Sequence, residues 1–152
     1  MKGKKSRAVI IYIITAATLC VIWTHSLMPE SVSSEESQGV LKFLEPLLEL
    51  FVGQGNVTNH LVRKLAHFAE FSALGFELYL IFAVHFSDFW KRLVLSLNLG
   101  LLAALIDETL QLFSRRGALV GDIWIDFSGV AAGSLFAALV LYFIKLVKQK
   151  RT

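Results

Sequence analysis

Polar and ionisable residues recur at helical spacing inside otherwise apolar segments of this chain. They are Arg63, Lys64, His67 and Glu70, then Asp107, Glu108 and Gln111, then Asp122 and Asp126. Such groups cost several kcal/mol each in hydrocarbon unless they pair or reach water, so their presence asks for a reason. Paired carboxylates beside a histidine can divide acid and base roles when their surroundings differ. His67, Glu70, Asp107, Glu108 and Asp126 are therefore the candidate catalytic residues. Asp107, Glu108, Asp122 and Asp126 with His67 are also a donor set for a hard divalent cation, although no zinc-ligand spacing is present. Lys64, Arg115 and Arg116 can grip a phosphate or a carboxylate. Together with Ser26, Arg63, Gln111 and Asp122 they form the candidate substrate-binding set.

The segments that carry these residues have the composition of a membrane protein. The chain has 152 residues, 55% of them hydrophobic, with 12 Phe and 3 Trp. Soluble domains lie nearer 45–50% apolar. Its net charge is only +3, and the basic residues sit in short clusters beside apolar runs. That pattern fits a lipid surface and excludes a nucleic-acid partner. There is no Walker, Rossmann or zinc-finger signature. Cys20 is the single cysteine, so no internal disulfide can form.

The expected fold class is all-α: a polytopic membrane protein with four transmembrane helices, forming one domain over residues 1–152. The spans are read at 8–24, 61–86, 93–113 and 123–147, each near the ~20 residues that cross a bilayer. The first reads as an uncleaved signal anchor. Between the first two spans, residues 38–52 place apolar side chains on one side and Lys42, Glu45 and Glu49 on the other. This predicts an amphipathic helix in the interface, bent at Pro46, acting as a cover or a lid. Basic residues cluster at Lys2, Lys4, Lys5, Arg7, Lys91, Arg92, Lys145, Lys148, Lys150 and Arg151. The positive-inside rule then puts both termini in the cytoplasm and the protein in the plasma membrane.

At 100° per residue, Arg63, His67, Glu70, Leu74 and Glu77 share one stripe within about 40° of Arg63. Asp107, Glu108 and Gln111 share a face of the third span, and Asp122, Asp126, Gly129 and Gly133 a face of the fourth. Pointing these stripes at lipid would strand their charges, so they are expected to face one another in an outward-facing pocket. Glu77 lies deeper and reads as a buried ion-pair partner. His25, His60 and His85 read as surface residues, and Trp23, Trp90 and Trp124 as interface anchors. Gly129, Gly133 and Ala137 form a small-residue ridge for close helix approach.

Five pieces, in order, carry a resemblance to a known family. They are WTHSLMP (Trp23–Pro29), RKLAHFAEF (Arg63–Phe71) with Leu74 and Gly75, DETLQLF (Asp107–Phe113), Arg115 or Arg116 before Gly117, and DIWIDFSG (Asp122–Gly129). The chain resembles the VanZ family, small membrane proteins associated with resistance to the glycopeptide teicoplanin. The resemblance implies a cell-envelope role but supplies no reaction.

Two classes of function follow. One is an enzyme acting at the outer leaflet on a lipid-linked cell-wall precursor, with membrane lipids as its surroundings. The other is a non-catalytic protein that binds an envelope lipid, a peptide stem or a glycopeptide. Ion translocation is weaker, since only Glu77 continues the polar path inward. In a purely structural alternative, pairs such as Arg63–Glu70 and Arg115–Asp122 neutralise one another and fix helix packing.

Overall fold

In hydrocarbon an extended or irregular backbone cannot satisfy its N–H and C=O groups, so long apolar runs become helices. The computed structural model describes residues 2–53, 57–114 and 119–151. Its elements are α1 (Lys2–Leu27), α2 (Glu30–Val52), α3 (Asn59–His85), α4 (Phe89–Phe113) and α5 (Val120–Gln149). No strand occurs among the described residues. Helices α1, α3, α4 and α5 are each long and apolar enough to cross a membrane. They correspond to the four expected spans, with helix ends that overrun the apolar runs. Arg115 and Arg116 lie outside the described residues.

The overruns have local causes. Thr58 Oγ1 accepts from Leu61 N–H at 3.2 Å and starts α3. Asp88 Oδ1 accepts from Lys91 N–H at 2.8 Å and starts α4 four residues before the expected boundary at 93. Both satisfy first-turn donors that no helical carbonyl can reach. Helix α1 continues past Thr24 to Leu27, so His25 and Ser26 belong to its last turn and not to a loop. The connection that follows is also largely helical. Helix α2 begins at Glu30, well before the expected residue 38, and continues through Pro46. It ends at Gly53, whose φ of 86° is a conformation that favours glycine.

The transmembrane helices run alternately up and down. The end of α1, the start of α3, the end of α4 and the start of α5 therefore meet at one end of the bundle. Helix α3 is central: it packs on α1, α4 and α5, and α2 lies against it. The apolar core joins Ile22, Phe71, Leu74, Leu78, Ala103, Ala104 and Val130. Its closest approach is between α3 and α5. A Cβ on Gly133 would lie 1.8 Å from the Ser72 carbonyl oxygen, and one on Gly129 would lie 2.6 Å from that of Phe68. A Cβ on Gly75 would meet the Val130 backbone at 2.2 Å. The ridge expected on α5 is thus met by a glycine on α3, so the two backbones touch.

Trp90 and Trp124 are exposed, at opposite ends of the bundle, as interfacial anchors would be. Trp23 departs from that reading: it packs against the core, and its indole N–H is buried. Its position one residue after Ile22 turns it inward, because α1 presents that side to α3 and α4.

Candidate functional site

The end of the bundle where α1, α3, α4 and α5 meet holds the polar residues. Helix α3 enters there, and His67 lies eight residues past Asn59, about 12 Å along the axis. Its Nδ1 is 3.6 Å from Asp126 Oδ1 on α5 and 3.7 Å from Asp107 Oδ2 on α4. Both aspartates are fully buried, and Glu108 nearly so.

Each carboxylate has a different environment. Asp107 is held firmly: Ser26 Oγ donates to its Oδ1 at 2.5 Å, and Gln111 Nε2 donates to its Oδ2 at 2.9 Å. Ser26 is itself steadied, since Ser114 Oγ donates to its carbonyl at 2.9 Å. Glu108 accepts from Gln111 Nε2 at 3.2 Å and from the Leu119 backbone N–H at 3.2 Å, which ties α4 to the start of α5. Asp122 is paired with Lys64 at 3.0 Å. Asp126 differs from all of these. Neither of its buried oxygens accepts a hydrogen bond, and among the described residues its ion-pair partner is His67 at 3.6 Å. A buried carboxylate without donors is costly unless it is neutralised or a charge or ligand lies beside it.

A cavity of about 160 Å³ opens beside this cluster. Arg63, Lys64, His67, Glu108, Gln111, Asp122 and Asp126 line it, with His60, Leu119 and Ile125. It has room for several waters or one small anionic group. His67, Asp107 and Asp126 can also share one metal ion, since one donor atom from each lies within 4.8 Å of the others. The arrangement can therefore move a proton, hold a cation, or present Lys64 and Arg63 to an anion.

Among the described candidate residues, three are not in the lining. Asp107 lies 3.7 Å from His67 Nδ1 without lining the cavity. Ser26, expected to touch a substrate, is fully buried and acts through Asp107. Glu70 points away from the cluster, and its Oε1 meets His25 Nδ1 on α1 at 2.8 Å. The reason is angular: Glu70 is rotated about 60° from His67 and Glu77 about 80° in the same sense, which brings both toward α1. Glu77 is accordingly no ion-pair partner; it accepts from Thr18 Oγ1 at 2.9 Å. The Arg63–Glu70 pair does not form, Asp122 pairs with Lys64, and the expected Arg115–Asp122 pair lies outside the described residues.

His25, read as a surface residue, is thus a partner of Glu70, and His60 lines the cavity. His85 is exposed but bonded to Tyr12 Oη at 2.5 Å. The available signal for His25 was its place in WTHSLMP, two residues beyond the end of the apolar run at Trp23. Nothing in its own spacing pointed to Glu70.

Fold and site together define a polytopic α-helical membrane protein with a charged cavity at one end of its bundle. A family model described as VanZ/LLP1 matches residues 9–142, and the chain belongs to that family. No curated protein and no solved structure gave a significant match.

Proposed function

We propose that the cavity faces the outer side of the plasma membrane and acts on the anionic headgroup of a lipid-linked cell-envelope precursor. The observation that carries this reading is His67, set between two buried aspartates while lining a cavity that also presents Arg63 and Lys64. The two cations would draw in and orient a phosphate or carboxylate. His67 and Asp126 would then exchange a proton with the reacting group, a contribution worth about 10²–10⁴-fold in rate. Asp107, fixed by Ser26 and Gln111, would offset the charge of the imidazole when it is protonated. Glu108 is the second acid or base, close to the same space. An altered precursor pool would in turn change susceptibility to teicoplanin, in keeping with the association carried by the family.

A second reading, binding without chemistry, is favoured by the Lys64–Asp122 pair, which already neutralises one cation beside the cavity. Mass spectrometry of outer-leaflet lipids and cell-wall precursors, with and without the protein, separates the two. The catalytic reading expects a new or depleted species that reverts with Asp126→Asn. An unchanged profile, with headgroup binding retained, leaves the binding reading.

A further inference from the structure

We infer that His67 Nδ1, Asp107 Oδ2 and Asp126 Oδ1 form a binding site for one small divalent cation of the Mn²⁺ or Zn²⁺ type. Four observations converge on it. First, the three residues come from three different helices, and each offers one donor atom within 4.8 Å of the others. Second, the His67–carboxylate separations of 3.6 and 3.7 Å are too long for hydrogen bonds. They match the spacing of donors that share an ion: two atoms each about 2.0–2.2 Å from one metal lie roughly 3.4–3.7 Å apart at tetrahedral to trigonal angles. Third, Asp126 is fully buried, yet both its oxygens lack a hydrogen-bond donor. A cation supplies what those oxygens are missing. Fourth, Asp107 is positioned by Ser26 and Gln111, the kind of outer support that metal-binding carboxylates receive.

One imidazole with two carboxylates suits a borderline or hard divalent ion and does not resemble the thiolate sites that select Cu(I). Three protein donors leave coordination positions open. Since His67 and Asp126 line the cavity, those positions face it. An ion there, together with Lys64 and Arg63, would meet an anionic headgroup in the same cavity.

The inference rests on the cavity being the functional site, but it is read on the metal alone. The full-length protein in detergent is stripped with EDTA and titrated separately with Mn²⁺, followed by EPR, and Zn²⁺, followed by calorimetry. Wild type and the remote variant Glu77→Gln are expected to bind one ion per chain and to gain thermal stability on binding. Asp126→Asn and His67→Gln are expected to bind at least about 10–100-fold more weakly. Should those variants fail to fold, pulsed EPR of Mn²⁺ on wild type decides through the coupling from one imidazole nitrogen. No saturable binding by wild type, unaltered binding by the variants, or no nitrogen coupling each overturns the site. Ion binding with an unchanged lipid profile overturns only the catalytic reading, and a changed profile without ion binding overturns only the metal.

Discussion

Asp126 and Asp107 both approach the same ring nitrogen of His67, yet the structure treats them differently. Asp107 has two good donors, so its charge is compensated from behind. Asp126 has none and depends on His67 or on whatever the cavity holds. Asp126→Asn is therefore expected to fold, with helix content and thermal midpoint close to wild type. Activity measured as precursor turnover should fall at least 100-fold if proton transfer is lost, by the usual order of about 10²–10⁴. Glu70→Gln provides the contrast. Its partner is His25, outside the cavity, so turnover should fall less than about tenfold, below the range for a lost acid or base. Equal losses from the two variants would mean that the His25–Glu70 pair belongs to the working site. Ser26→Ala removes one donor from a buried carboxylate. It should cost about 1.5–3 kcal/mol of stability, read as a lower unfolding midpoint in detergent.

Among the helices, α3 decides most of the geometry because three others pack on it. Its side toward α1 carries a repeating polar seam: His25–Glu70, Thr18–Glu77 and Tyr12–His85. Glu70 and Glu77 are one heptad apart, as are His25 and Thr18, the periodicity of antiparallel helices that keep one seam in register. The side toward α5 is governed by size. Gly133 lies so close to the Ser72 carbonyl that an added methyl group must push the two helices apart. Gly133→Ala should destabilise the bundle by about 1–3 kcal/mol, the usual range for overpacking. It should also weaken the site, since Asp126 would move away from His67. Gly121 has nothing within 4 Å of its would-be Cβ, so Gly121→Ala should stay within about 0.5 kcal/mol of wild type. Thermal unfolding of the two variants side by side checks the pair.

For the molecule as a whole, four membrane-crossing helices put both termini on one side, and the clustered lysines and arginines predict that this side is the cytoplasm. Green fluorescent protein fused to the C-terminus should fluoresce. Alkaline phosphatase should be active when fused between α4 and α5 and inactive when fused between α3 and α4. The reverse pattern would turn the cavity inward and remove the access to outer-leaflet precursors. The four spans were legible because lipid cannot hydrogen-bond a backbone, so an apolar run of about 20 residues has one structural outcome. The polar faces were legible for a similar reason: the helical period fixes which side chains share a direction about one axis. That reasoning brought His67, Asp107, Glu108, Asp122 and Asp126 to one end of the bundle. It could not say that α1 would continue past Thr24, pairing His25 with Glu70 and setting Ser26 behind Asp107, because two polar residues after an apolar run look like the start of a loop. Nor could it divide the α3 stripe between neighbours, sending His67 to α4 and α5 but Glu70 and Glu77 to α1. Periodicity measures rotation about a helix's own axis, whereas the identity of the neighbour in that direction depends on how closely whole helices approach. Those approaches are decided by contacts between distant parts of the chain, such as Gly133 against Ser72, and they exist only once the bundle has packed.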